Sequence, residues 1–312
     1  MCKCLAVFAF NFLLLLLMLP VWVLSALGLC IACCVPKSMD KRYRSCLAGV
    51  VIRLTWMAWN TLFCICCWIR IDVEGVDDLL EDFGTSGRPV CVVMNHTSFL
   101  DTLLAVSLCP FAYVGDVKMM VSNHLLKMPG LGQIVKAMGH LDVPFKVAAD
   151  SDKFEIDKEE MAKRQALLEE HVVDGGCVAW YPEGRQNRGD PHIVETFRAG
   201  GFDVAVKNDV EMWCFVCVGN TVCWPRTAAV GGRSASIGVK LFQFCESTKD
   251  YIEAGVPAAE RGGKQACIYL ANSSQQAVQK AVNELLAEGY SCHDADYKQP
   301  SESKEKLVDA NS

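Results

Sequence analysis

Candidate chemistry concentrates in Asn95–Asp101, Asn-His-Thr-Ser-Phe-Leu-Asp, which sets His96 and Asp101 five positions apart around two hydroxyl residues. A carboxylate on one imidazole nitrogen fixes the tautomer and stabilises the imidazolium that forms when the other nitrogen takes a proton. Such a pair is a general base suited to a hydroxyl. Five residues along a regular helix turn through ~500°, so the two side chains would diverge by ~140°. They meet only if His96 lies in a loop and Asp101 in the first helical turn. Ser98 and Asp101 also fit a capping box with Ser98 as N-cap, a role that asks for no catalysis. The positive end of a helix disfavours the imidazolium and keeps His96 basic.

The flanking residues supply that junction. Pro89 to Met94 is an apolar, partly β-branched run that reads as a buried strand. Leu100, Leu103, Leu104 and Leu108 then recur at helical spacing. The histidine therefore stands where a strand hands over to a helix. Alternating strand and helix signals from 72 to 245 predict an α/β fold, a mixed central sheet flanked by helices and preceded by N-terminal membrane helices. Glu159 to His171 reads as a surface helix, Ser236 to Cys245 as a last strand, and Gln275 to Leu286 as a helix. The expected division is a membrane-anchoring part over 1–71, a catalytic body over 72–290 and a polar tail over 291–312, disordered by composition.

A second apolar run, Cys177 to Trp180, ends in Tyr181-Pro182-Glu183-Gly184-Arg185; Phe197-Arg198-Ala199-Gly200 follows, and Val216 to Pro225 is apolar and closes in proline. Taken in order with His96-x4-Asp101, these segments resemble the glycerolipid acyltransferases over residues 72–245. The Pro-Glu-Gly and Phe-Arg-x-Gly stretches resemble that family's Phe-Pro-Glu-Gly and Phe-Lys-x-Gly segments. The resemblance implies acyl transfer from a thioester donor to glycerol-3-phosphate or a lysophospholipid, with His96 as base and Asp101 as its partner. The chain's length favours the lysophosphatidate type. No cofactor or metal is implied; acyl-CoA is a co-substrate.

A phosphate on the acceptor calls for cations. The family pattern places an arginine two positions after the glycine, where this chain has Gln186, so Arg185 or Arg188 supplies the charge. Gly139 to Lys146 stands for an intermediate segment ending in arginine, which makes Lys146 a third candidate; the other reading of these residues is a strand and a proline turn. Glu183 and Gly184 complete the substrate-binding set, Glu183 holding an acceptor hydroxyl or orienting an arginine. The alternatives are acylation of glycerol-3-phosphate or another lysophospholipid, a hydrolase using Ser98, and an inactive membrane scaffold.

No charge interrupts Leu5 to Val35, although a membrane span needs only ~20 apolar residues. A signal peptide's apolar core is shorter, ~7–15 residues, which favours a retained anchor, with a kink or re-entrant bend at Pro20. Leu54 to Ile69 offers 16 uncharged residues, reaching ~24 Å against a hydrocarbon core of ~30 Å. It either lies in the interface on Trp56, Trp59 and Trp68 or crosses with its arginines snorkelling. A loop carrying Lys37, Lys41, Arg42 and Arg44 between the two segments places that side in the cytoplasm; a second segment that only dips keeps the body cytosolic, a full crossing puts it in the lumen, and the expected membrane is the endoplasmic reticulum. Residues 1–71 hold seven Lys/Arg against one Asp, a net of +6, and the remainder 23 against 35, a net of −12. The basic end favours anionic lipid; the acidic body argues against a nucleic-acid partner. Of the 18 cysteines, those beside the apolar segments are candidates for palmitoylation. Cys214 and Cys217 sit at an odd strand spacing that sends their sulfurs to opposite faces, and read as buried thiols rather than half a zinc site.

Overall fold

A computed structural model of the chain describes residues 2–146 and 155–293. Two long helices, α1 (Lys3–Ala32) and α2 (Lys37–Ile65), form an antiparallel hairpin ahead of the body. Seven strands follow: β1 (Ile69–Glu74), β2 (Val90–Met94), β3 (Val117–Ser122), β4 (Leu141–Val143), β5 (Cys177–Trp180), β6 (Glu211–Val218) and β7 (Ala235–Cys245). They form one sheet in the order β1-β7-β6-β2-β5-β3-β4. Every neighbouring pair is parallel except β6 with β7. The mixed sheet expected from the sequence is therefore present. Between the strands lie α3 (Val76–Asp82), α4 (Leu100–Leu108), α5 (Phe111–Val114), α6 (Leu131–Ala137), α7 (Lys158–Val173), α8 (Asp203–Asn208) and α9 (Asn220–Cys223). Two more, α10 (Thr248–Gly255) and α11 (Lys264–Ala287), close the described chain.

The central strands are buried on both faces, so their side chains divide by parity between two cores. Trp213, Phe215 and Cys217 of β6 join one core with α1, α2 and α4. Met212, Cys214, Val216 and Val218 join the other with α7, α8, α10 and α11. Cys214 and Cys217 thus face opposite ways, as their spacing required. The hairpin is a layer of the fold, rather than an anchor attached to it. Ile52 and Leu62 of α2 are fully buried, and Trp56 and Asn60 donate to the carbonyls of Cys109 (3.0 Å) and Ser107 (3.0 Å) at the end of α4.

Several boundaries move. Helix α2 opens at Lys37, so Lys41, Arg42 and Arg44 belong to a helix and not to a loop. Lys41 pairs with Glu170 (2.7 Å) and Asp174 (3.4 Å) at the end of α7. Helix α1 runs unbroken through Pro20, with no re-entrant bend. Strand β1 begins at Ile69, before the expected start of the body. Helix α11 is twice the expected length because Ser274 is absorbed by back-bonding to Leu270 (2.7 Å). The stretch expected to be a strand ending in proline breaks at Val218, and 220–223 is a helical turn. The tail expected from 291 falls, beyond His293, outside the described residues.

Truncating Ile52→Ala should lower stability by about 2–5 kcal/mol, read as a lower denaturant midpoint in detergent. Leu19→Ala on the exposed side of α1 should stay within about 0.5 kcal/mol. Equal effects would mean that α2 is not part of the core.

Candidate active site

The carboxyl ends of β2, β5 and β6 meet at one edge of the sheet, the place where open α/β sheets collect their ligands. After β2 the chain leaves the strand at Asn95, whose side chain accepts from Cys217 N (3.0 Å) and donates to its carbonyl (2.9 Å). His96 therefore sits in the loop and Asp101 in the first turn of α4, the only arrangement in which five-residue spacing lets them meet. They do: His96 Nδ1 lies 3.1 Å from Asp101 Oδ2. An ionised carboxylate only accepts, so Nδ1 carries the hydrogen and Nε2 presents its lone pair. Among the described residues Nε2 has no hydrogen-bond partner.

Asp101 is wholly buried and its oxygens are saturated. Oδ2 also accepts from Thr97 N (2.7 Å) and Ser98 N (2.9 Å), and Oδ1 from Asn220 Nδ2, with the Cys217 thiol 3.8 Å away. Half of the capping box is therefore real: the acid reaches back to Ser98 N. The Ser98 hydroxyl instead accepts from Leu100 N (3.1 Å) and donates to the Trp224 carbonyl (2.7 Å), and Phe99 is the N-cap. Buried and committed to backbone, Ser98 is no nucleophile. Asn220 follows Gly219, whose φ of +95° and closeness to the Ser236 carbonyl exclude a side chain.

The loop after β5 backs the histidine. Tyr181 stacks on the His96 ring (centroids 3.9 Å apart, planes 16° off parallel) and shares a hydrogen bond with Thr102 (3.1 Å). Burial, reinforced by the Asp101 charge, pushes its phenol well above the usual range. Gly184 closes a turn onto Tyr181 (2.9 Å) at φ +78°, which favours glycine. Glu183 is buried and clamps two loops: Oε1 accepts from His96 N (2.7 Å) and Oε2 from Glu195 N (3.0 Å). From the other side Asn187 N donates to His96 O (2.6 Å). Burial pushes the Glu183 carboxyl up to about 8, the two backbone N–H donors opposing. Its observed role is to hold the backbone of His96 and of Glu195.

The candidate cations separate. Arg185 stands 3.6 Å from Glu195 Oε2, and its buried Nε has no hydrogen-bond partner. Arg198, from the Phe-Arg-x-Gly segment, donates to the Glu183 carbonyl (3.1 Å); burial first, then the Arg185 cation, lowers its guanidinium. Glu183, Glu195 and Arg198 line an open cavity of about 590 Å³. Arg188 is tied to the same loop through its backbone N–H on Glu195 Oε1 (2.9 Å). Lys146 is exposed beyond edge strand β4, three strands from β2 and so roughly 14 Å across the sheet. The structure does not bring it to His96. Tyr181, Asn220 and Arg198 were not among the residues expected here; Tyr181 and Arg198 carried a signal in their motifs, Asn220 none.

Asp190, His192 and His293 bring ligand atoms within 4.8 Å of one another. His192 Nε2 accepts from Cys292 N (3.0 Å), so its proton sits on Nδ1, facing Asp190 (3.5 Å). A metal there would find that nitrogen protonated, and the cluster reads as a hydrogen-bonded joint.

Residues 70–218 match the model of the family described as Acyltransferase. The fold is that of PlsC: the crystal structure of the 1-acyl-sn-glycerophosphate (LPA) acyltransferase from Thermotoga maritima superposes with a TM-score of 0.54, at 16% identity over 88% of this chain and 97% of that one. A search of curated proteins found no match.

Two outcomes follow from the geometry. Asn220→Ala removes one bond to a buried charge, about 1.5 kcal/mol, and should lower kcat for acyl transfer about tenfold with KM held; an unchanged kcat would make Asn220 structural only. Glu183 holds its proton more tightly folded, with the carboxyl raised from 4.5 to about 8. Stability should therefore fall as pH rises between those values and level off above, and Glu183→Gln should flatten that slope. Denaturation midpoints measured across pH check this, and identical slopes in both proteins would mean the carboxyl is ionised throughout.

Proposed function

We propose that the chain transfers an acyl group from acyl-CoA to the free hydroxyl of lysophosphatidate, giving phosphatidate, at the face of a bilayer. The observation that carries this is the unpartnered Nε2 of an imidazole whose other nitrogen is fixed on a buried acid. Nε2 takes the acceptor's hydroxyl proton as the oxygen attacks the thioester carbonyl. The tetrahedral intermediate collapses, coenzyme A leaves as a thiolate, and the imidazolium returns the proton to it. The thioester is already activated, so no acyl-enzyme is needed. Arg185, whose Nε faces Glu195 Oε2 at 3.6 Å, and Arg198 at the open cavity hold the acceptor phosphate, with Arg188 on the same loop.

The membrane face adjoins this site, which favours an acceptor already in the bilayer over free glycerol-3-phosphate. Of the 21 exposed large apolar side chains among the described residues, 14 lie on α1 and α2. Phe8, Phe12, Leu15, Leu19 and Val23 form a stripe along α1. On its buried side Phe10 meets the edge of Trp224, and Trp224 packs on Phe99 in the histidine loop.

Both helices pass for membrane spans by length and composition. Yet α2 is bound to the body from Lys41 to Asn60, about 29 Å of helix. Crossing the bilayer would drag the charged helix α7 into hydrocarbon. The hairpin therefore lies in the interface, and the body stays on the cytosolic side of the endoplasmic reticulum, where acyl-CoA is available.

Membranes carrying the chain, given labelled acyl-CoA and a panel of lysolipids, should make phosphatidate from lysophosphatidate. His96→Ala should lower that rate about 10²–10⁴-fold without releasing the protein. Arg185→Ala should raise KM for phosphate-bearing acceptors. Full activity in His96→Ala removes the mechanism; a wild type inactive on every acceptor favours the scaffold.

A further inference from the structure

The cysteines divide sharply by place. All eight exposed ones lie between residues 2 and 67, on or beside α1 and α2, while those of the α/β body are buried or half-buried. The hairpin gathers them at its two ends. Tyr43 donates to the Gly28 carbonyl (2.9 Å), which sets the antiparallel register near the turn. At the open end Phe10 packs on Gly232, and Trp68 donates to that residue's carbonyl (3.0 Å). Cys2 and Cys4 thus share one end with Cys64 and Cys67. Cys30, Cys33 and Cys34 share the other, beside the basic start of α2, with Cys46 a few residues further along that helix. Between the two ends runs the exposed apolar stripe of α1.

We propose that both ends of the hairpin are S-acylated, each by a long-chain acyl-CoA, so that fatty thioesters pin the helices to the bilayer at either end of the stripe. The cysteine sulfur attacks the acyl-CoA carbonyl carbon and gives up its proton. The bond to coenzyme A breaks as the new thioester forms, and the coenzyme A thiolate takes the proton. One thioester replaces another, so no further reactant is needed. A single acyl chain holds a protein only marginally, whereas a second anchoring element makes attachment stable. Modification at both ends rests on the in-plane reading given above, because a hairpin crossing the membrane would present its ends to opposite compartments.

The test uses the full chain expressed in yeast fed an alkynyl palmitate. Hydroxylamine, which cleaves thioesters, should release the label, and a polyethylene-glycol maleimide should then add mass at the freed thiols. The combined change Cys30→Ser, Cys33→Ser, Cys34→Ser, Cys46→Ser should abolish one part of that shift. Cys2→Ser, Cys4→Ser, Cys64→Ser, Cys67→Ser should abolish the rest. No hydroxylamine-dependent shift, or an unchanged one with all of these replaced, overturns the proposal. On sealed vesicles the impermeant maleimide, applied after hydroxylamine, should reach both ends from the same side. Labelling of both ends without any need for hydroxylamine would sink acylation alone and leave the in-plane reading standing. Protection of one end would sink both.

Discussion

A carboxylate removed from water must be given donors or it will not stay ionised, and the site is arranged around that need at Asp101. Stripping an ion of solvent costs several kcal/mol, and no water reaches this side chain to offset it. Its partners come from the loop after β2, from His96 itself and from Asn220 beyond β6. Satisfying one acid thus fixes the relation of β2, β6, α4 and α9. Glu183, one strand away, joins the histidine's backbone to the loop that carries Glu195, although its two donors do not offset burial and its carboxyl is pushed up to about 8. Nε2 of His96 is left without a hydrogen-bond partner among the described residues, while the backbone around it is bound.

The second constraint is area. A sheet covered on one face by α7, α8, α10 and α11 leaves its other face needing a cover, and the hairpin provides it. Helix α1 must then be apolar on two sides: inward through Phe10 and Val21, and outward through a stripe with no protein against it. That double demand accounts for its near-absence of polar residues as well as membrane residence does.

Local chemistry was legible in the sequence where it depended on short range. His96 and Asp101 are five residues apart, and the strand and helix on either side dictate that they meet. Strand β5, helix α7 and strand β7 were clear for the same reason, each carrying its own periodicity or cap; Asp157 accepts from Glu159 N and Glu160 N at the start of α7. Long-range partners were not. Nothing near Asn220 announces that its amide will cross 119 positions to an aspartate, and Tyr181 looks like one more apolar residue before a proline. Lys146 matched a motif in order along the chain, but the strand order places it at the sheet's far edge. The basic residues after Pro36 read as a loop because their polarity suited one; in the helix Lys41 pairs with the end of α7 and Arg44 with Asp40 one turn back.

Trp224 has a practical corollary. Its ring is shared between helix α1 and the loop that carries His96, and its carbonyl secures Ser98. Anchor and enzyme therefore have no seam between them. Cutting the chain ahead of β1 in the hope of a soluble enzyme would unroof the sheet and slacken the very turn that aims the histidine. Helix α1, by way of one indole, is part of the scaffold that holds His96.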